Sequence, residues 1–190
     1  LKAREFGIDL AGHPQCLGQI TDRVKAAEAD GYTFDAADAS FELMVREVVG
    51  GRPEYFQVEA WRANISTVPG FAEVGETVSE ATVKIFAGGR RYMRVGEGVG
   101  PVDALDQALR TALKNVYAEL DDMELIDFKV RILDTHQGTG ATTRVLIEMA
   151  DHKGTWRTVG IGDDVIEASW EALTDSYVYG LMKLGVEPRL

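Results

Sequence analysis

Apolar positions follow two different periods along this chain, and the switches between them divide it. Leu17, Ile20, Val24 and Ala27 are spaced as one face of a helix, and Gly31 ends that run. Asp35 is placed to cap a second helix, with an apolar face of Ala37, Phe41, Met44, Val45 and Val48 and a stop at Gly50, Gly51 and Pro53. Two short helices bury little by themselves, so residues 1–53 read as a helical linker module that leans on another domain. From Tyr55 the period becomes two. Phe56 to Ser66 is strand-like, and a turn is expected around Pro69 and Gly70. Ala81, Val83 and Ile85 then alternate with polar neighbours, and Gly88-Gly89 turns the chain into a return strand from Arg91 to Val95. Pro101 opens a long helix whose stripe is Val102, Leu105, Leu109, Ala112, Leu113, Val116 and Leu120.

The same order then recurs. Ile126, Phe128, Val130 and Ile132 alternate, a Gly/Thr loop covers Gln137 to Ala141, and Val145, Ile147 and Met149 alternate. Asp151 to Gly154 turns, Trp156 to Ile161 returns, and Val165 to Leu184 is helical. Gly96 and Gly98 reappear 64 residues on as Gly160 and Gly162, and the same shift superposes Val95 on Val159, Ala104 on Ala168, Ala108 on Ala172 and Leu109 on Leu173. Ala81, Val83 and Ile85 fall on Val145, Ile147 and Met149 without a gap. A duplication that keeps both strand parity and helix phase predicts an α+β fold of two pseudo-symmetric βββα units, 54–120 and 121–190, behind the linker. The natural packing of such units is about a pseudo-twofold axis.

Composition narrows the function. Asp and Glu number 31 against 20 Lys and Arg, a formal net charge of −11 that repels nucleic acid and anionic lipid. The basic positions Lys84, Arg90, Arg91 and Arg94 read as a solvated strand face. Cys16 is the single cysteine, so neither an internal disulfide nor a CxxC metal site is available, and a reducing, cytoplasmic setting is expected. No run of about 18 apolar residues predicts a membrane span. The chain begins at Leu1 in mid-pattern, as an excised fragment would.

Catalytic signatures are missing. His13, His136 and His152 form neither HxH nor HExxH, no GxSxG or P-loop occurs, and Cys16 reads as a buried thiol, so no catalytic residue and no metal site is assigned. Asp121-Asp122 and Asp163-Asp164 fall at helix boundaries and read as turn residues and caps. The Gly96-Glu97-Gly98-Val99-Gly100 loop follows a strand and opens a helix. Three readings fit it: close strand-to-helix packing, a dinucleotide loop, or a small anion site at the helix N-terminus. Pro101 interrupts the dinucleotide pattern. The anion reading suits the carboxylate of a free amino acid.

Four motifs carry a resemblance. Gly98-Val99-Gly100-Pro101-Val102-Asp103-Ala104-Leu105, Asp127-Phe128-Lys129-Val130-Arg131-Ile132-Leu133, Thr143-Arg144-Val145-Leu146-Ile147-Glu148 and Glu167-Ala168-Ser169-Trp170-Glu171-Ala172-Leu173 resemble the C-terminal regulatory domain of the 2-isopropylmalate synthase / citramalate synthase family. The segment from Gly31 to Glu42 is similar to the linker helices of the citramalate synthase branch. The resemblance implies a homodimeric feedback-regulatory domain, 54–190, attached to an N-terminal catalytic barrel. That barrel condenses acetyl-CoA with a 2-oxoacid using a divalent metal; this segment itself is expected to hold no cofactor. Isoleucine is the favoured effector over leucine. By motif position the effector residues are Gly98, Val99, Gly100 and Val102 in the loop, Leu125, Phe128 and Ile132 on the strand, and Thr139 and Thr142 in the Gly/Thr loop. Read from the residues alone, Phe128 and Ile132 are expected to be plain core packing. Phe128 stands where the family commonly has tyrosine, and Gly162 and Asp164 where it commonly has serine and asparagine. A dimerisation module with a degenerate pocket is the alternative these departures imply.

Overall fold

The computed structural model describes residues 14–68, 76–133 and 141–190. Helix α1 spans Pro14–Ala29 and α2 spans Asp38–Val48. Strands β1 (Gln57–Val68), β2 (Glu76–Ala87) and β3 (Arg90–Gly98) precede α3 (Pro101–Leu113) and a 3-10 turn at Ala118–Asp122. Strands β4 (Glu124–Ile132), β5 (Thr143–Asp151) and β6 (Gly154–Gly162) precede α4 (Val165–Lys183). Each set of strands forms an antiparallel meander, ordered β1-β2-β3 and β4-β5-β6. The fold is therefore the expected pair of βββα units.

The duplication is visible in the strand register. Ala81 pairs with Gly96 and Val145 with Gly160, which is the 64-residue shift. The first strands obey a different one: Trp61 pairs with Val83 and Phe128 with Ile147, an offset of 67. The path from first to second strand is thus three residues shorter in the second unit. Both first strands carry a bulge, at Val58/Ala60 and at Leu125/Asp127. The second bulge places Leu125, not Ile126, on the face shared by Phe128, Val130 and Ile132.

Two compact bodies divide the chain: Glu54–Met123 with Leu181–Leu190, and Glu124–Gly180 with the helices that precede Glu54. In the first, Ala81, Val83 and Ile85 are buried beneath Ala104, Leu105, Ala108, Leu109 and Ala112 of α3. Tyr117 donates to the Tyr55 carbonyl at 2.8 Å and accepts from the Arg189 amide at 2.9 Å, fixing the last residues to this body. In the second, Val145, Ile147 and Met149 are buried with Ala168, Ala172, Leu173 and Tyr177. Cys16, Ile20, Phe34, Met44 and Val45 form the apolar cluster of the α1–α2 hairpin, so the thiol is a packed core group.

Two local expectations fail. The second helix begins at Asp38 with Ala37 as its uncapped N-cap, three residues beyond Asp35. Residues 34–36 are instead drawn into a bend closed by the Ala37 amide on the Phe34 carbonyl. The helix from Pro101 ends at Leu113, short of Val116 and Leu120. Asn115 donates its side-chain amide to the Thr111 and Ala112 carbonyls, competing with the next helical turn, and Leu120 reaches the core from the 3-10 turn.

Each unit depends on a close approach of its third strand to the following helix. A Cβ on Gly96 would lie inside van der Waals contact of the Ala104 carbonyl and Ala108 amide of α3, and a Cβ on Gly160 would collide likewise with Ala168 and Ala172 of α4. These neighbours are backbone atoms and cannot rotate away. Gly160→Ala is expected to destabilise the second unit by about 1–3 kcal/mol, the usual cost of overpacking. Gly100→Ala, whose Cβ meets nothing within 4 Å, should change stability by less than about 0.5 kcal/mol. Urea denaturation of the two variants checks the contrast.

Candidate functional site

The glycine loop of the first unit reaches α3 through Gly98, where a Cβ would meet the Ala104 amide at 2.6 Å. Val99 follows, 97% exposed, and Gly100 is the N-cap of α3 in an extended conformation. The Gly100 carbonyl accepts from the Ala104 amide at 3.0 Å. No side chain caps this helix. Asp103 reaches back to accept from the Val99 amide at 2.9 Å, so one of the loop's N–H groups is already taken by the chain's own carboxylate.

The second unit supplies the comparison. Asp164 is the N-cap of α4, and its Oδ1 accepts from the amides of Ile166 at 2.7 Å and Glu167 at 2.9 Å. Glu167 reaches back to the Asp163 amide at 3.3 Å, as Asp103 does to Val99. The two helix starts therefore share a carboxylate reaching back by four residues, and they differ at the N-cap, where Asp164 has Gly100 as its counterpart. A carboxylate fills the second helix start; the first offers the amides of Val102 and Asp103 with no capping side chain, at the positive end of the helix dipole.

The strand candidates lie on β4, in the other body. Leu125 is half-buried, and Phe128, Val130 and Ile132 are 37%, 46% and 56% exposed. They share the helix-side face with Ile147, Val145 and Thr143, their buried partners on β5. Phe128 and Ile132 are thus not core residues within this chain. They form an apolar stripe on the outermost strand of the sheet. Thr142 is half-buried, and its carbonyl accepts from the Leu133 amide at 2.9 Å. Thr139 lies outside the described residues, as do His13 and His136. Among the described residues, no group of three or more His, Cys, Asp or Glu could hold a metal ion. None of the described helices is long and apolar enough to cross a membrane.

A polar cluster that sequence reasoning missed lies where the α1–α2 hairpin meets the second sheet and α4. It lines a cavity of about 280 Å³. Arg52 grips Asp175 at 2.6 Å, and Arg23 pairs with Glu47 at 2.9 Å. The Tyr32 hydroxyl donates to Glu171, whose other oxygen accepts the Ile161 amide at 2.8 Å. Burial raises the Asp175 carboxyl above the usual carboxylate range, and the Arg52 guanidinium opposes that shift. Burial, followed by the field of and hydrogen bond to Glu42, pushes the Tyr179 phenol up to about 12. These partners are up to 139 residues apart, and no local spacing signals them. The basic strand positions are less eventful: Arg91 makes a two-pronged pair with Glu59 at 2.5 and 2.8 Å on an exposed face.

The profile of the LeuA allosteric (dimerisation) domain matches residues 35–181. The chain belongs to the LeuA allosteric (dimerisation) domain family. It is 51% identical over 189 residues to an (R)-citramalate synthase of Streptomyces coelicolor, covering 99% of this chain and 35% of that protein. An (R)-citramalate synthase of Aquifex aeolicus is 43% identical, with 96% of this chain and 34% of that protein covered. A probable 2-isopropylmalate synthase of Methanopyrus kandleri is 28% identical over 96% of this chain and 33% of its own length. The chain spans about a third of the length of the curated relatives it matches. The LeuA-domain match begins at residue 35, so it takes in α2 as well as both βββα units.

The Asp164 cap is the most direct handle on this LeuA domain's loops. Asp164→Ala removes the acceptor of two amides and should cost about 1 kcal/mol, lowering the melting temperature by roughly 2–4 °C. Differential scanning calorimetry at fixed pH reads it.

Proposed function

We propose that this LeuA domain is the amino-acid-sensing and dimer-forming part of an acetyl-CoA-dependent 2-oxoacid synthase, in the citramalate synthase branch, with isoleucine as its favoured effector. The observation that carries the reading is the asymmetry between the two helix starts. Asp164 shows by example what a carboxylate does at such a loop: it takes two adjacent amides and the positive dipole end. Gly100 leaves the matching amides of α3 for a carboxylate from elsewhere, and the exposed Val99 beside them adds apolar surface. The Asp103 carboxylate nearby is no obstacle in principle, because Glu167 occupies the same place beside Asp164. The family resemblance assigns Leu125, Phe128, Ile132, Thr139 and Thr142 to the effector as well, and an exposed aromatic and aliphatic stripe suits a branched side chain. Metal and acetyl-CoA chemistry belongs, in this reading, to a catalytic barrel in the rest of the protein, which this chain would regulate through its differential affinity for effector in two states.

Isothermal titration of the chain with isoleucine and with leucine tests the sensing claim. Isoleucine binding is expected, and Gly100→Asp should abolish it while raising stability by up to about 1 kcal/mol through the added cap. Binding that survives Gly100→Asp would move the carboxylate away from α3. No binding of either amino acid up to millimolar concentration would favour the second reading, a dimerisation module with a degenerate pocket. That reading draws on the Val99 amide being occupied by Asp103.

The dimer claim rests on the β4 stripe. Apolar side chains left half-exposed on the outermost strand of a sheet need a cover, and a second copy is the occupant the family implies. Val130→Glu combined with Ile132→Glu should raise the dimer dissociation constant at least about 100-fold, since two charges would be desolvated in the interface. Sedimentation velocity over a concentration series measures it; an unchanged constant excludes this face.

A further inference from the structure

We propose that the cavity of about 280 Å³ lined by the α1–α2 hairpin, β6 and α4 binds a small amine that carries an oxygen acceptor close to its nitrogen, the head group of an amino alcohol. The proposal is independent of the α3 corner and of any effector there. All the lining residues belong to one body of the chain. Arg23 and Glu47 stand at its solvent side, with side chains 47% and 44% exposed, so a ligand can enter past them while the hairpin stays in place.

Two groups in the lining have hydrogen-bonding capacity that the described residues leave unused. Ser40, 6% exposed, accepts from the Val159 amide at 2.9 Å, and no acceptor for its own proton lies among the described residues. Asp175 gives Oδ1 to Arg52 at 2.6 Å, and its Oδ2 has no partner among the described residues. A free donor and a free anionic acceptor in a largely buried place favour a guest that answers both. Charge says which end is which. Arg23 and Arg52 face Asp30, Glu47, Glu171 and Asp175, two cations against four carboxylates, so the cavity is short of positive charge. Burial keeps the Asp175 carboxyl above its ordinary range although Arg52 opposes it, as such a shortage requires. An ammonium group makes up the shortage, and a neutral oxygen takes the Ser40 proton. A free amino acid fits less well, because its carboxylate adds charge of the wrong sign.

Spacing sets the size. Ser40 and Glu171 take the amides of Val159 and Ile161, two residues apart on β6 and so about 7 Å along the strand. Asp175 lies one turn beyond Glu171 on the same face of α4. A nitrogen and an oxygen on adjacent carbons, each one hydrogen bond from the wall, span that gap. Phe34, Met44 and Val159 complete the lining and offer apolar surface to a short alkyl branch.

NMR titration of the whole chain with valinol, isobutylamine, isoamyl alcohol and valine tests this. Valinol should shift the amides of Tyr32, Val159 and Ile161 saturably in the millimolar range and leave those of Val102 and Asp103 at the α3 corner unmoved. Isobutylamine lacks the oxygen, isoamyl alcohol lacks the amine and valine carries the extra charge, so each should bind at least about 10-fold more weakly than valinol. Asp175→Asn should weaken valinol by at least about 10-fold, and Ser40→Ala should erase its advantage over isobutylamine. Unchanged α3 and Ile147 amides show that a variant is folded. Valinol has no carboxylate, so its failure to bind leaves the amino-acid reading of the α3 corner standing. The proposal is overturned by the absence of a saturable valinol shift at these amides, by equal binding of the four probes, or by valinol binding that survives Asp175→Asn unchanged.

Discussion

Contact between the backbone of a glycine-bearing strand and the backbone of the helix that follows it sets the geometry of both units. At Gly96 and Gly160 the helix lies so close to the sheet that no side chain fits between them. Two consequences follow. The third strand and the helix become one rigid corner, and the loop joining them is held short, with its amides at the helix N-terminus. The two corners then differ in how the N-cap is filled. The first unit has Gly100 there and the second has Asp164. A duplicated fold has kept its scaffold, while the N-cap carboxylate of the second corner is absent from the first.

The same duplication explains where the sequence was legible. Alternation at Ala81, Val83 and Ile85, and at Val145, Ile147 and Met149, comes from burial on one face of a central strand, so it survives as a pattern. The long apolar face of α4 and the glycine pairs are legible for the same reason. The failures are of another kind. Asp35 has the right chemistry for a cap, but the chain turns at Phe34 to Ala37 first. Asn115 stops α3 by taking two carbonyls, a competition that an apolar stripe cannot reveal. The bulge in β4 exchanges Leu125 for Ile126 on the helix-side face, and a one-residue slip of this sort is invisible to a period-two count.

The candidate site was legible only in part. The loop could be located from its glycines, yet its chemistry turned on side chains reaching back one helical turn, Asp103 to Val99 and Asp164 to Ile166 and Glu167. From Phe128 to Ile132 the alternation on β4 was correct, but alternation means burial only when something lies on the face. The first strand of the second unit lies at the edge of its sheet, so Phe128, Val130 and Ile132 carry the pattern of a core while facing outward. A hydrophobic period on an edge strand is a statement about an interface as much as about a core.

The two edges of the second sheet are covered differently. On the β6 side polar groups from the hairpin satisfy outward-pointing amides one at a time, through Ser40 and through Tyr32 acting on Glu171. On the β4 side the exposed groups are apolar side chains, which gain by being covered and have no hydrogen bond to satisfy. Apolar cover is lost only at the full cost of re-exposing its area. At β6 the hairpin both supplies the Ser40 hydroxyl to an outward amide and buries Ala39 and Leu43, whereas on β4 Phe128, Val130 and Ile132 stay exposed.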